Sequence, residues 1–392
     1  MTAVQHQSSR SGRSLYVAFE LGLDKWRLAS GTAMGDNARQ RNVNARCQAA
    51  VLDEIAKAKV KFGLAADAPV VCCYEAGRDG HWPYRFLTAQ GMTCHEVDSS
   101  SIEVNRRKRR AKTDRLDAEQ LLRMLIRYEN GERKVWRVVN VPSLEDETRR
   151  HAHRELQDWK DQRRRHSNRI KGLLYLIGEN VEVDSDFPQR LKQLRNWDGS
   201  VLREELMQRL LRDFEGWQFA DRKVKDLQNE RRRQIRSGTA PWLEGVRRLL
   251  TLKGIGSNSA WLFVAEVFGW RKIRTGREIG SLAGLTPTPY TSGHSAHEQG
   301  ISKAGNRRLR GMAVEIAWCW LQYQPQSALS QWFLKRFGQG PRLRKIGIVA
   351  LARKLLVALW KYLERGEAPP GATLVDWKNK LGGRVTKETA PA

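Results

Sequence analysis

The stretch that decides the fold runs from residue 111 to residue 120 and reads Ala111-Lys112-Thr113-Asp114-Arg115-Leu116-Asp117-Ala118-Glu119-Gln120. Its aspartates, Asp114 and Asp117, open a predicted helix three residues apart, a spacing that puts both on one helix face. That face continues through Leu121 and Leu125, so it points the two carboxylates toward the protein interior. Carboxylates kept away from water need a positive partner, and a divalent cation would supply one.

A basic run precedes this helix: Arg106, Arg107, Lys108, Arg109 and Arg110, followed by Lys112. Cations beside a metal-binding acid pair indicate a site that acts on phosphodiesters. The 392 residues include 70 Lys and Arg against 43 Asp and Glu, a net charge of +27. This excess favours a polyanionic partner. We expect nucleic acid and no membrane, because no apolar run reaches the roughly 18 residues of a spanning helix.

The ends and the cysteines give weaker information. Residues 1–13 lack the apolar core of a signal peptide, so we expect a disordered basic tail. The five cysteines are an odd number without metal-type spacing, which argues against a disulfide framework or a zinc finger. A reducing cytoplasmic location is the expectation that follows.

Up to about residue 140 the chain alternates predicted strands and helices. Strands are predicted at 14–20, 25–34, 69–75 and 93–97, and helices at 42–62, 82–90 and 114–128. This order is typical of a mixed α/β sheet. We assign residues 14–140 to this domain.

Acidic residues stand where this sheet would bind a ligand. Glu20 ends the first strand, Glu75 ends the central strand, and Asp114 and Asp117 open the last helix. Ligands of open α/β sheets collect at the carboxyl ends of the strands, so the four carboxylates are expected to converge there. Hard oxygen ligands suit Mg²⁺ or Mn²⁺, and two such ions can clamp a phosphodiester. Any one of these acids alone could still be an ordinary surface residue.

The next segment, residues 141–240, is helical and highly charged. Helices are predicted at 151–175 and 201–235, with arginine triplets at 163–165 and 231–233. Two interpretations stay open: a solvated coiled-coil surface, or a coiled-coil arm that dimerises through one face and touches phosphates with another.

Residues 241–365 form a mainly helical predicted domain, followed by a tail at 366–392. The segment Lys253-Gly254-Ile255-Gly256 is typical of a helix-hairpin-helix turn, in which glycines let backbone amides approach a phosphate. A flexible loop is predicted at 287–305, and helices at 306–323, 327–337 and 344–363.

The predicted loop holds a candidate nucleophile, Ser292, directly before Gly293. Nucleic-acid-binding residues follow it: Lys303, Asn306, Arg307 and Arg310. Serine needs a base or an electrostatic setting to attack, which His294, His297 or a metal-bound carboxylate could provide. From residue types alone, a plain DNA-contacting loop explains this segment better.

These motifs together resemble a known family, the insertion-sequence transposases of the DEDD type, which are bridge-RNA-guided serine recombinases. Three segments carry the resemblance: Lys112-Thr113-Asp114-x-x-Asp117-Ala118; Leu252-x-Gly254-Ile255-Gly256; and Ser292-Gly293 followed by Gly300-Ile301-Ser302-Lys303-x-Gly305-Asn306-x-x-Leu309-Arg310. The segments occur in the family's order over residues 14–335.

The resemblance implies an α/β plus α architecture: a RuvC/RNase H-like N-terminal domain, a coiled-coil arm and a C-terminal serine transposase domain. It implies that Glu20, Glu75, Asp114 and Asp117 bind Mg²⁺ and that Ser292 is the nucleophile. The implied reaction is DNA strand exchange through a 5′-phosphoserine intermediate. The implied partners are donor and target duplex DNA, a structured noncoding guide RNA, and further copies of the chain, a homodimer that assembles into a tetramer on DNA.

The sequence departs from the family pattern at one acid and leaves rivals at two sites. The first acid of the family is usually aspartate, whereas this chain has Glu20, and Asp24 is a possible substitute. Ser295 is a lesser rival to Ser292. One rival is a RuvC-type nuclease or junction resolvase, which would use the acids for catalysis without a covalent step. The other is a non-catalytic nucleic-acid-binding protein, in which the acids would be structural. A conventional acid-triad transposase fits the Asp114/Asp117 spacing less well.

Overall fold

The computed structural model describes residues 13–103, 114–292 and 295–381, without the side chains of 114–115, 291–292 and 295–299. The chain divides into two compact units, one ending at Pro142 and the other beginning at Ser143. Each unit has its own hydrophobic core.

The first unit is built on a five-stranded sheet in the order β3-β2-β1-β4-β5. Its strands are β1 (Leu15–Leu21), β2 (Lys25–Gly31), β3 (Arg39–Asn44), β4 (Val70–Glu75) and β5 (Thr93–Val97). The first three pair antiparallel, whereas β4 pairs parallel with both β1 and β5. The predicted mixed α/β sheet is therefore confirmed.

Helices cover both faces of this sheet: α1 (Gln48–Lys61), α2 (Trp82–Ala89) and α3 (Asp114–Glu129). On one face, α3 places Leu121 and Leu125 in a cluster with Ala18 and Cys73. On the other face, residues of α1 and α2 surround the side chains of Phe19 and others from β1, β2 and β4. Burial on both faces explains the continuous apolar run of β4.

Two sequence predictions in this unit are wrong in their bounds. The helix predicted from residue 42 begins at Gln48, because residues 39–44 form the edge strand β3. The second strand ends at Gly31 rather than residue 34, because Asp36 closes a turn there. Its carboxylate accepts hydrogen bonds from the amides of Thr32 and Ala33.

The second unit begins with two long helices, α4 (Leu144–Tyr175) and α6 (Glu204–Ser237), separated by α5 (Phe187–Leu191). Cross-helix pairs join Arg163 to Asp221 and Arg169 to Asp213, so the two helices run antiparallel. We call this pair the arm. The first helix begins earlier than predicted, because the Ser143 hydroxyl caps it and three acids fill its first turn.

The remaining helices pack around one hydrophobic core. They are α7 (Trp242–Leu250), α8 (Ser257–Phe263), α9 (Gly276–Leu282), α10 (Arg307–Tyr323), α11 (Ala328–Phe337), α12 (Pro341–Arg365) and α13 (Trp377–Leu381). A single π turn, Val264–Phe268, follows α8 directly. The predicted helical character of this region is confirmed, and α12 begins at Pro341 because proline suits the first helical position.

Residues 287–301 form an antiparallel hairpin of β6 (Pro287–Ser292) and β7 (Ser295–Ile301), not the flexible loop that the sequence predicts. The prolines and glycines of this segment hide the strand pattern. Within the described ranges, we find no helix that combines the length and apolar character needed to cross a bilayer.

Candidate active site

Glu20 and Glu75 lie at matching positions of neighbouring parallel strands. The register pairs Phe19 of β1 with Tyr74 of β4, and each glutamate is the next residue of its strand. Side chains alternate along a strand, so Glu20 shares the face of Ala18 and Glu75 shares the face of Cys73. That is the face covered by α3. The fold thus places both acids on one face at the carboxyl ends of β1 and β4.

Asp117 belongs to the helix that covers this face. The Cys73 thiol lies 3.9 Å from the carbonyl oxygen of Leu121, so α3 crosses β4 at this point. Asp117 is one turn earlier on the same side of the helix. Its side chain is half-buried, that of Glu20 is half-buried and that of Glu75 is exposed. Three of the four predicted acids therefore share one side of the sheet.

To bind one metal ion, the acidic side chains must lie close together, not only on the same face of the sheet. Among the described residues, no three acidic, histidine or cysteine side chains lie close enough to hold one ion. Asp114 opens α3, but its side chain is outside the described residues, as are Arg106, Arg107, Lys108, Arg109, Arg110 and Lys112. The rival Asp24 is exposed in the connection between β1 and β2. Carboxylate oxygens are nevertheless the donor type that a hard divalent cation prefers.

Ser292 lies at the tip of the hairpin. It is the last residue of β6 and pairs in register with Ser295, the first residue of β7, and two residues connect the strands. Both serines are thus beside the turn, and their side chains lie outside the described residues. The imidazoles of His294 and His297 are also outside them.

The base of the hairpin is tied to the end of α9 by backbone hydrogen bonds. The amide of Ser302 donates to Thr286, that of Lys303 to Gly284, and that of Asn306 to Leu282, at 2.9, 3.1 and 2.7 Å. Gly305 has φ +142°, and a Cβ atom there would lie 2.6 Å from the carbonyl oxygen of Leu282. Close approach of the two backbones explains why the segment needs glycine at this position.

The predicted phosphate ligands around the hairpin divide into two groups. Arg310 donates from Nη1 to the carbonyl oxygens of Ala283 and Lys303, so it buttresses the hairpin base. Lys303 and Arg307 have exposed side chains and form no salt bridge within the described structure. These two remain available to an anionic ligand.

Asn306 has a structural role that the sequence does not reveal. Its Oδ1 accepts from the amides of Arg308 and Leu309, which caps α10. Its Nδ2 donates to Oε2 of Glu266 at 2.9 Å. Glu266 is 2% exposed in the π turn, and Arg154 of the arm lies 3.4 Å from its other oxygen. This chain of contacts links the arm to the start of α10, directly after the hairpin.

A second buried polar group lies at the same end of the arm. Arg231 stands over the ring of Trp261 at 4.8 Å and donates to Oδ1 of Asn258 at 3.2 Å. Its Nη2 lies 3.4 Å from Nδ1 of His153. Burial lowers the pKa of Arg231 to about 10, and burial together with the Arg231 charge lowers the pKa of His153 to about 3. His153 is therefore neutral at physiological pH.

Sequence reasoning missed Glu266, Arg154 and His153, although one signal was available for Glu266. It assigned Arg231, in the triplet 231–233, to a solvated or phosphate-contacting surface, whereas the structure buries this side chain. Glu266 is the single charged residue between Phe263 and Phe268, a run that is otherwise apolar. A carboxylate forced into a core by its neighbours needs hydrogen-bond donors and a cation. The sequence does not show which residues provide them.

The segment predicted as a helix-hairpin-helix turn lies between α7 and α8, and most of its backbone amides donate hydrogen bonds within the protein. Lys253 donates to the carbonyl oxygen of Thr373, Ile255 to that of Leu252, and Gly256 to the hydroxyl of Ser259. Gly254 has φ +91°, and a Cβ atom there would lie 3.3 Å from Cβ of Tyr323. The Lys253 side chain is exposed. Phosphate binding by this turn therefore stays a prediction that depends mainly on that lysine.

Comparisons with known proteins match the region that contains these features. A family model described as the transposase IS116/IS110/IS902 family matches residues 246–331, from α7 through the hairpin to α11. A Sinorhizobium fredii protein named as a transposase, y4rJ, is 38% identical over 92% of this chain and 94% of its own length. A second Sinorhizobium fredii protein, y4qE, is 27% identical over 78% of this chain and 72% of its own length.

A third relative, the transposase for insertion sequence element IS1328 of Yersinia enterocolitica, is 32% identical over 31% of this chain and 37% of its own length. The family model and these relatives identify the chain as a transposase, a class of DNA-recombining enzyme. The chain belongs to the IS116/IS110/IS902 family of transposases.

Proposed function

We propose that this transposase exchanges DNA strands of an insertion sequence through a covalent 5′-phosphoserine intermediate on Ser292. The observation that carries the proposal is the position of Ser292 at the tip of a hairpin, inside the segment that matches the family model. The hairpin base is held by backbone hydrogen bonds to the segment after α9 and is flanked by the exposed cations of Lys303 and Arg307. A serine at this tip would attack a phosphodiester whose charge the cations neutralise.

In the first step, the Ser292 hydroxyl oxygen attacks the scissile phosphorus. The new bond joins this oxygen to phosphorus, the bond from phosphorus to the 3′ oxygen breaks, and the serine proton ends on the released 3′ hydroxyl. In the second step, a 3′ hydroxyl of the other strand attacks the phosphoserine and restores the serine. No external reductant or energy source is needed, because each step replaces one phosphodiester by another.

The acidic side of the sheet is proposed as the metal site of a RuvC-like domain. Glu20, Glu75 and Asp117 share the α3-covered face, and Asp114 is expected to complete the set. These residues would hold Mg²⁺ or Mn²⁺, which would supply neutralisation of the charge that builds on the phosphate. The strand order and the position of α3 support this assignment. Glu20 is one methylene group longer than the usual aspartate, so it can bind the metal in its place if the end of β1 lies correspondingly farther from the ion.

Three further parts of the proposal follow from the resemblance and the charge. A structured noncoding RNA is proposed to guide the enzyme by pairing with donor and target DNA, which would leave the protein to bind backbone and shape. The arm is proposed to form a coiled coil that joins copies into a homodimer, and two dimers into a tetramer on DNA. The net charge of +27 suits a protein that holds several nucleic-acid segments together.

The test is a cleavage assay with full-length protein, element-end DNA, the flanking noncoding transcript and Mg²⁺. Products are separated on denaturing gels before and after protease treatment. Wild type and Ser295→Ala are expected to give a protein-linked DNA band that protease releases, and Ser292→Ala is expected to give none. Ser295 is a matched control, because it occupies the register position opposite Ser292.

A second pair of variants tests the acids. Asp117→Asn is expected to abolish the band in Mg²⁺, whereas Asp24→Asn leaves it, because Asp24 lies in the exposed connection after β1. Free cut DNA that persists in Ser292→Ala and vanishes in Asp117→Asn would replace this proposal with a metal-only nuclease. Full activity without the transcript would remove the guide RNA from it.

A further inference from the structure

A large cleft lies beside the base of the hairpin and is not used by the proposed strand-exchange chemistry. It has a volume of 1560 Å³ and lies between α9, α11 and α12, with Pro287, Gly300 and Ile301 of the hairpin in its wall. Sites for a single small molecule measure roughly 300–1,000 Å³. The cleft is therefore large enough for several linked groups.

The rim of the cleft is strongly cationic. Six basic residues line it, against one acid, Glu367: Arg277, Arg336, Lys345, Arg353, Lys354 and Lys361. None of the six forms a salt bridge with any described residue, although many arginines of the arm do. Unneutralised cations at this density attract a multiply charged anion.

The floor of the cleft is apolar and aromatic. Trp332 and Trp360 lie in it, together with Ile346 and Val349. Trp360 is 8% exposed, and its indole N–H finds no acceptor among the described residues. The ammonium group of Lys354 lies 4.7 Å from the centre of the Trp332 ring, so charge and aromatic surface are adjacent. A ligand that fits must offer flat apolar groups as well as negative charge.

The chain's own termini and a second copy match this charge pattern poorly. Residues 1–12 and 382–392 both contain more basic than acidic side chains, and a second copy carries the same net charge of +27. Duplex DNA offers phosphates but keeps its bases stacked inside. Unpaired nucleotides combine phosphates for the rim with bases for the tryptophans.

We propose that this cleft binds unpaired nucleotides of the DNA strand that continues from the scissile phosphate. The inference rests on the proposed function, which brings that phosphate to Ser292 at the tip of the same hairpin. Phosphates contact the six rim cations, and bases lie against Trp332 and the neighbouring apolar side chains. A Cβ atom at Gly280 of α9 would lie 3.0 Å from Nε of Arg353, so the absence of a side chain there leaves room for this rim cation.

The experiment measures binding without chemistry. Full-length Ser292→Ala protein is titrated into a fluorescent twelve-nucleotide single-stranded DNA, its duplex form, and the same sequence as RNA, over a range of salt concentrations. The test pair is Lys345→Gln with Lys361→Gln. The control pair, Lys335→Gln with Lys378→Gln, removes two exposed lysines that lie outside the cleft, for the same change in net charge.

The test pair is expected to weaken single-stranded DNA binding about tenfold and to make the slope of log K against log salt shallower by about 1.4, from two lost phosphate contacts. The control pair is expected to change affinity less than threefold. Trp332→Leu should weaken binding about tenfold through lost base stacking, whereas Trp318→Leu, outside the cleft, should not.

Four results would overturn the proposal. The first is an equal loss of single-stranded DNA affinity in the test and control pairs, and the second is duplex binding that is as tight and as sensitive to the test pair as single-strand binding. The third is a loss of affinity in the test pair that is seen only with RNA. The fourth is a change of oligomeric state in the test pair with unchanged DNA affinity. Failure of the proposed function is a separate result, because loss of the phosphoserine band leaves this binding measurement unaffected.

Discussion

The buried histidine at the base of the arm predicts how stability depends on pH. His153 is 2% exposed, and burial with the neighbouring Arg231 charge lowers its pKa to about 3, against about 6.5 in an unfolded chain. The folded protein keeps the ring neutral, so unfolding below pH 6.5 takes up a proton. The free energy of unfolding is therefore unaffected by His153 above pH 6.5, and it decreases as the pH falls from 6.5 toward 3.

The size of the effect follows from the distance between the two pKa values. At pH 5 the unfolded histidine is almost fully protonated and the folded one is not. Each pH unit below 6.5 lowers the free energy of unfolding by about 1.4 kcal/mol, so the loss between pH 8 and pH 5 is about 2 kcal/mol. Carboxylates elsewhere add their own pH dependence, so the contribution of His153 must be isolated by difference.

The assay is urea unfolding at pH 8 and pH 5, followed by tryptophan fluorescence, for wild type, His153→Gln and His151→Gln. His151 is a matched control on the same helix, with a side chain that is 65% exposed. Relative to wild type, His153→Gln is expected to gain about 2 kcal/mol on moving from pH 8 to pH 5, and His151→Gln almost nothing. If His153→Gln shows the wild-type pH dependence, the histidine is not held neutral and the reasoning is refuted.

Three further substitutions probe other contacts. Gly305→Ala should lower the free energy of unfolding, measured by urea titration, by about 1–3 kcal/mol, because φ is +142° and the new Cβ clashes with a carbonyl oxygen. As a control, Gly300→Ala has open space around its Cβ position and should lower the free energy of unfolding clearly less. Tyr74→Phe should lower the free energy of unfolding by about 1–3 kcal/mol in chemical denaturation, because it removes the 2.8 Å hydrogen bond to buried Glu96. An unchanged free energy would show that this hydrogen bond does not stabilise the fold. Glu266→Gln should lower the free energy of unfolding by about 1.5–3 kcal/mol in thermal unfolding, since the hydrogen bonds to a charged carboxylate are lost. An unchanged melting temperature would contradict a stabilising role of the Glu266 charge.

Elements with a strong burial pattern could be predicted from the sequence. The apolar run of β4 and the apolar periodicity of α3 reflect burial against the sheet core, and both were correctly located. The edge strand β3 was missed because only Val43 of its six residues is buried, so polar residues dominate the pattern. The hairpin was missed because its prolines, glycine and polar residues are typical of turns.

The candidate site was predictable only in part, for a physical reason. A strand ending in glutamate can be recognised in a sequence, and parallel pairing then places Glu20 and Glu75 side by side. The partners of a buried charge come from distant segments, as Arg154 and Asn306 do for Glu266, 112 and 40 residues away. No local pattern encodes those pairings, because they depend on how the helices pack.

The dimensions of the arm give it the properties of a lever. Its helices of 32 and 34 residues rise 1.5 Å per residue, so each is about 50 Å long. At one end Arg154 and Arg231 join it to the helical core, and at the other end Phe187 and Phe214 pack in a separate hydrophobic cluster. A rotation of about 6° at the fixed end moves the far end by about 5 Å, more than the 3.4 Å step between nucleotides of a strand. If a few side chains were to repack at this fixed end, the far end would move by more than the distance between successive nucleotides.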